Sequence, residues 1–239
     1  GVPTMWSRLA AHPRVGELSR LRLGVSGSAP LPAVLHASIA AAIGRAPLER
    51  YGMSETVMLV SNPFDGERKA GSVGFPLPGV DLRLAATGAS AAEIEVRGPN
   101  VFSGYLDRPE ANAAAFDDGW FRTGDLGVVD DDGYVHIVGR SKELIISGGF
   151  NVYPREVEDV LRECPGVLDV AVAGVADPEW GERVAAFVVL DGEVADGVLA
   201  EWAAQRLVGY KQPRLWRRID AVPRNSMGKV QRDRLTAEA

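Results

Sequence analysis

Apolar spacing along the chain switches repeatedly between helical and strand periods. Met5, Trp6, Leu9 and Ala10 recur at helical spacing within residues 1–23, with a turn at His12-Pro13. Leu21-Arg22-Leu23-Gly24-Val25 alternates as a strand and enters the small-residue loop Ser26-Gly27-Ser28-Ala29-Pro30; residues 31–44 then predict an Ala-rich amphipathic helix. Strand, loop and helix in this order form an α/β unit that places a ligand at the carboxyl end of its strand. From Lys69 to Arg97 the pattern turns to β, with a turn-rich stretch over residues 71–80 and alternation at 81–84 and 92–97. Arg108-Pro109-Glu110-Ala111 opens a helix with Pro in its first turn. Asp130-Asp131-Asp132-Gly133 reads as a hairpin turn returning through residues 134–138. The remainder reads as a small α+β domain. Its elements are a helix from Pro154 with Val157, Val160 and Leu161 on one face, strands at 167–175 and 184–190, a helix at 198–207, and a last strand through Leu215, Trp216 and Ile219.

Composition narrows the class without choosing a function. The 239 residues suffice for one large or two modest domains, and 46% hydrophobic with 24% charged residues is ordinary for a soluble globular protein. No apolar run approaches the ~20 residues of a membrane span, so no membrane partner is expected. The net charge of -6 argues against a general nucleic-acid surface. The single Cys164 excludes an internal disulfide framework and fits a reducing compartment, which makes a cytoplasmic location the expectation. Only four of the 26 Lys and Arg are lysines: Lys69, Lys142, Lys211 and Lys229. A compact ammonium differs chemically from the arginine fork, so each of the four invites a question.

Three stretches carry candidate chemistry. Tyr51-Gly52-Met53-Ser54-Glu55 offers an aromatic face for a base, close backbone approach at Gly52, and hard oxygen donors for Mg²⁺ at Ser54 and Glu55. Asp125 follows Thr123-Gly124 at an apparent strand end, where a carboxylate can accept two hydrogen bonds from a ribose diol. Lys229 lies in the loop-like run Pro223-Arg224-Asn225-Ser226-Met227-Gly228-Lys229-Val230, on an adaptable backbone. The three aspartates at 130–132 lack the remaining calcium-loop ligands and are assigned to the turn. His136 alternates with apolar neighbours and reads as a strand-face residue.

In order, these motifs resemble the C-terminal half of the acyl-CoA synthetases, members of the adenylate-forming superfamily that includes 4-coumarate ligase, luciferase and peptide-synthetase adenylation domains. Residues 51–55 resemble its "Y-G-x-T/S-E" motif, residues 93–105 its "G-E-I-x-V-R-G-P-x-V-F-x-G-Y" segment, residues 120–125 its "W-F-x-T-G-D", and Gly228-Lys229 its final "G-K" loop. The resemblance implies ATP, Mg²⁺ and coenzyme A as cofactors and a two-step ligase reaction. It implies nucleotide contacts at Ser28, Ala29, Pro30, Arg50, Tyr51, Gly52, Met53, Ser54, Asp125 and Arg140, catalytic roles for Glu55 (on magnesium) and Lys229, and an interdomain hinge at Lys142. Gly148, Gly149 and Phe150 would line the path of the coenzyme A arm. The implied organisation is an α/β portion of the large nucleotide- and acyl-binding domain over 1–139, a hinge at 140–142, and a mobile α+β domain over 143–239. Ile146 stands where some relatives carry a lysine.

Family members are about twice as long, and their Ser/Thr/Gly-rich phosphate loop lies upstream of every motif here. The expectation is therefore a chain whose N-terminal half is a missing partner. Arg8 and Arg50, with Ser26 as a further donor, supply cations and a hydroxyl suited to an acid with a second carboxylate. That combination resembles malonyl-CoA synthetases, acting on malonate or methylmalonate. Other readings are a different small-acid CoA ligase, an adenylation domain loading a carrier protein, and a non-catalytic nucleotide- or CoA-binding fragment.

Overall fold

A computed structural model describes residues 1–85, 91–192, 194–225 and 228–237; Ser226 and Met227 of the Lys229 loop lie outside the described residues. The chain divides into two compact units, Gly1–Ile137 and Val138–Ala239. It is mixed α/β, as the apolar spacing predicts.

The first unit opens with α1 (Pro3–Ala10), β1 (Val25–Ser26), α2 (Ala33–Ile43), β2 (Leu48–Tyr51), β3 (Val60–Ser61) and β4 (Phe75–Pro76). These four strands form one sheet in chain order, with β1 parallel to β2 and the later pairs antiparallel. The strand expected over 21–25 shrinks to Val25–Ser26, because only these residues face Leu48 and Glu49 of β2. Gly24 is taken up by packing: a Cβ there would lie 2.8 Å from the Trp6 ring. Trp6 is buried, and its Nε1 donates to the Val25 carbonyl at 3.1 Å, pinning α1 beside β1. α2 buries His36, Ile39 and Ile43 on one face and ends at Gly44 with φ 79°, the left-handed cap that glycine favours.

A second sheet follows from β5 (Asp81–Leu84), β6 (Ala92–Arg97), α3 (Pro109–Ala115), β7 (Phe116–Asp117), β8 (Trp120–Val129) and β9 (Val135–Arg140). Its order is β5-β6-β8-β7, with β9 on β8. Ile94, Val96, Phe121 and Val135 pack with Val60 of β3 and with Leu59 and Val73 beside the first sheet, so one apolar core joins both sheets. The aspartate turn is built on Asp130, which accepts from Lys69 Nζ at 2.6 Å and from the backbone amides of Asp132 and Tyr134, and bonds His136 Nε2 at 2.9 Å.

The second unit comprises β10 (Ile145–Ser147), β11 (Phe150–Val152), α4 (Pro154–Arg162), β12 (Val167–Asp177), β13 (Gly181–Leu190), α5 (Asp196–Ala204), β14 (Leu215–Arg218) and α6 (Arg232–Thr236). The sheet runs β11-β10-β13-β12, with β14 parallel on β13. Continuous apolar runs on β12 and β13 mean burial on both faces. Val170, Val172, Val184, Ala186 and Val188 face α4 and α5 through Val157, Leu161, Leu199 and Ala203. Ala171, Ala173, Ala185 and Phe187 point the other way, toward Val222 and Leu235 of the C-terminal segment.

The Lys69 ammonium, then the His136 ring, hold the Asp130 carboxyl well below the usual carboxylate range. A depressed carboxyl contributes stability that is full above the ordinary Asp value of about 4 and is lost as pH falls through its folded value. Urea unfolding of Asp130→Asn should therefore give a lower midpoint than wild type at pH 7, with the gap closing below about pH 4. A gap independent of pH would refute the ion-pair account of this turn.

Candidate active site

The residues singled out around Tyr51 meet through contacts that span long stretches of chain. Tyr51 closes β2, and its hydroxyl donates to Asp125 Oδ2 at 2.7 Å across 74 residues of sequence. Asp125 is 4% exposed and sits in β8 just after Gly124, whose φ of 71° turns the strand. Thr123 steadies this corner by donating to the Ile94 carbonyl at 2.8 Å and accepting the Asp125 amide at 3.1 Å. An aromatic edge and a buried carboxylate thus share one wall of the first unit.

Residues 52–57 form a tight turn. An added Cβ on Gly52 would lie 2.1 Å from the Val57 carbonyl oxygen. Val57 itself has φ 56°, a left-handed conformation that strains a β-branched residue. The buried Thr56 amide donates to the Met53 carbonyl at 3.1 Å, and Asn100 Nδ2 donates to the carbonyls of Thr56 and Met58 at 2.7 and 2.9 Å. The turn leaves Ser54 exposed and Glu55 half-buried.

Glu55 is held twice. Its carbonyl accepts the Phe102 amide at 2.8 Å, and its Oε1 accepts the Tyr105 hydroxyl at 3.1 Å. Burial, then the bond to Glu55, raises the Tyr105 phenol above its ordinary value. Asn112 of α3 fixes Tyr105 by accepting its amide at 2.6 Å and donating to its carbonyl at 2.9 Å. A cavity of about 510 Å³ opens beside this pair, lined by Met53, Glu55, Glu93, Tyr105 and Thr123.

The Ser26–Pro30 loop meets the same strand from its other side. Ser28 adopts φ 69°, and the buried Glu49 accepts the Leu31 amide on Oε1 at 3.0 Å, tying the loop's exit to β2. Ser26 is fully buried, and its Oγ has no hydrogen-bond partner among the described residues. Arg50 lies over Gly27, with its Cγ 3.6 Å from where a Cβ would be. Arg8 is exposed on α1.

The other candidates belong to the second unit. Arg140 ends β9, and Lys142 is exposed in the short 3₁₀ turn Ser141–Glu143. Gly148 and Gly149 adopt φ 58° and 81°, and Trp180 packs where a Gly148 side chain would stand. Phe150 is half-exposed and stacks on Tyr210 at 4.6 Å. Lys229 is exposed.

Comparison with known proteins places the chain in a family. The AMP-binding enzyme family model matches residues 1–106, and the AMP-binding enzyme C-terminal domain matches residues 156–229. The chain belongs to the AMP-binding, adenylate-forming enzyme family. It is 46% identical to a feruloyl-CoA synthase from Amycolatopsis sp, over 96% of this chain and 49% of the relative. It is 40% identical to a long-chain-fatty-acid–CoA ligase of Bacillus subtilis (strain 168), over 100% of this chain and 45% of that protein. Among solved structures, ATP-bound MatB from Rhodopseudomonas palustris superposes with a TM-score of 0.94 at 46% identity, covering 100% of this chain and 50% of that one. The chain spans about half the length of the relatives it matches.

Two supports of the site escape motif reading. Glu49 lies two residues before the tyrosine motif, and its signal is a carboxylate on a short strand between Leu48 and the Arg50-Tyr51 pair. Tyr105 closes the segment 93–105, and nothing in its spacing relates it to Glu55.

Gly52→Ala should cost about 2–3 kcal/mol through overpacking, read from denaturant unfolding. Gly197→Ala, in α5 with open space around its Cα and no positive φ, should be neutral or stabilising by up to about 1 kcal/mol. Equal effects at the two positions would contradict the close-approach argument.

Proposed function

We propose that this chain forms the acyl-adenylate-handling half of an ATP-dependent acid–CoA ligase. The observation that carries the reading is the Tyr51–Asp125 hydrogen bond, which sets an aromatic face for adenine beside a carboxylate suited to a ribose diol. Ser28, Ala29, Pro30, Arg50, Gly52, Met53 and Ser54 complete the nucleotide wall, with Arg140 contributing to ribose and phosphate.

The acid's carboxylate attacks the α-phosphorus of ATP, and pyrophosphate leaves with the electrons of the cleaved P–O bond. Lys229 neutralises the charge that builds on the phosphorus oxygens. Lys142 is the hinge about which the second unit exchanges Lys229 for the Gly148-Gly149-Phe150 loop. The thiolate of coenzyme A then attacks the acyl carbon, and AMP departs.

The donor chemistry at Ser54 and Glu55 suits Mg²⁺. A hydroxyl and a carboxylate are hard oxygen ligands, and magnesium is commonly held by one or two carboxylates with phosphate oxygens completing its shell. When bound, the ion neutralises phosphate charge. Glu55 is the residue that would hold it, oriented by Tyr105.

For the acid we propose malonate or methylmalonate. Ser26 offers a buried hydroxyl with hydrogen-bonding capacity left over, and Arg50 and Arg8 supply cations for a second carboxylate. The resemblance of Arg8, Arg50 and Ser26 to the malonyl-CoA synthetases supports this acid. The identity to a feruloyl-CoA synthase favours a second reading, an aromatic acid.

The test is ATP-dependent pyrophosphate release by the chain joined to the N-terminal half that its relatives carry, with malonate, methylmalonate, butyrate and ferulate compared. Malonate or methylmalonate should exceed butyrate by at least about tenfold, a difference of roughly 1.4 kcal/mol in transition-state binding. Preference for ferulate would replace the diacid assignment and retain the ligase. Release with no acid at all would overturn the ligase.

A further inference from the structure

Lys229 is exposed, yet the base of its loop is closed by a dense set of bonds. Gln231 donates its amide to the Pro223 carbonyl at 2.9 Å, and Arg224 and Val230 form an antiparallel bridge. Asn225 donates its amide to the Lys229 carbonyl at 2.9 Å, and its Oδ1 accepts the Lys229 amide at 3.0 Å. Gly228 has φ 80°, which suits glycine immediately before the lysine. Among the described residues nothing is bonded to the Lys229 ammonium, so the backbone sets the point from which it projects.

The backbone, in turn, is anchored by one side chain. Arg224 Nη1 donates to the Gly228 carbonyl at 3.1 Å, across the loop, and Nη2 donates to both carboxylate oxygens of Asp169 on β12, at 3.0 and 2.9 Å. Asp169 is itself held, because its Oδ1 accepts the Val170 amide at 2.9 Å. The far end of the loop has a second anchor on the same strand. Arg232 donates to the Val172 carbonyl at 2.9 Å and to Glu143 and Glu158 at 2.7 Å each. Glu158 is buried, and its Oε1 also accepts the Val172 amide. Both ends of a seven-residue excursion thus land three residues apart on a strand buried on both faces.

We propose that Arg224 is a positioning residue for Lys229: it clamps the Gly228 carbonyl to Asp169 and fixes the backbone from which the ammonium projects. This rests on the assignment of Lys229 to adenylation made above. The chemistry requires arginine. A planar guanidinium serves a carboxylate with one edge and a carbonyl with another in fixed geometry, whereas a lysine ammonium is a single rotating point charge. The clamp matters because a flexible four-carbon side chain on an unbraced loop would spread its charge over several ångströms, and misplacement by about 1 Å can cost on the order of 10²-fold in rate.

Two measurements test the clamp. The first is hydrogen exchange on the chain itself. Arg224→Gln and Asp169→Asn should each speed exchange at Asn225 and at residues 228–231 by about tenfold or more, as local opening becomes easier, and leave β13 unchanged. The second is a double-mutant cycle in the chain joined to its N-terminal half. Arg224→Gln should lower adenylation by about 10–100-fold while thioester formation from preformed acyl-adenylate stays within about threefold. Arg224→Lys should recover part of the loss. In a Lys229→Ala background Arg224→Gln should cost nothing further, because a residue acting only through Lys229 has nothing left to act on. Unchanged loop exchange, additive losses in the double variant, or equal loss of both half-reactions would each overturn the proposal. Absence of adenylation in the unmutated enzyme would instead refute the ligase reading, and the exchange comparison would still decide the clamp.

Discussion

A phenol and a carboxylate 74 residues apart meet at 2.7 Å, and the first unit is arranged around that meeting. For Tyr51 to reach Asp125, β2 must end against the sheet that contains β8, and the chain must leave Tyr51 by a turn compact enough to stay clear of it. Gly52 permits that turn: the Val57 carbonyl stands 2.1 Å from where any other residue would place its Cβ. The cost appears at Val57, a β-branched residue at φ 56°. Backbone strain of this kind persists only where surrounding bonds over-determine it. Here Asn100 holds the carbonyls of Thr56 in the turn and Met58 just beyond it, and the Phe102 amide holds that of Glu55. The outcome is a rigid corner that presents Ser54 and Glu55 from a strained backbone.

The second unit solves a different problem. Its proposed functional groups, Lys229 and the Gly148–Phe150 loop, lie on exposed segments, so rigidity has to come from what those segments stand on. β12 and β13 supply it by being buried on both faces, with valines toward α4 and α5 and alanines toward α6. The two arginines flanking Lys229 tie its loop to that platform through a carboxylate, a carbonyl and a buried glutamate. Such partly desolvated pairs are weak evidence for stability and better suited to fixing one geometry among several.

Much of the fold was legible because it rests on local pattern. The alternation at 81–84 and 92–97 coincides with β5 and β6, and Pro154 opens α4 as its position at a first turn predicts. Where pattern failed, tertiary contact had overridden it. The alternation at 21–25 reads as a strand, but Gly24 serves the Trp6 ring and only two residues find partners on β2. The motif residues could be picked out individually from chemistry and resemblance. Their supports could not: Glu49, Tyr105, Arg224 and Asp169 act on partners 18, 50 and 55 residues away, and such pairings leave no periodic trace. In a chain with 22 arginines, nothing in composition distinguishes Arg224 from a solvated one.

We propose that Tyr51 and Asp125 together form an adenosine site. Equilibrium binding of AMP to the wild-type chain and to Asp125→Asn tests it most directly. Binding should be saturable and should weaken by about tenfold or more in the variant, the loss of roughly 1.4 kcal/mol expected when a ribose-binding carboxylate loses its charge. Equal binding by the two proteins, or no saturable binding by wild type, would contradict it.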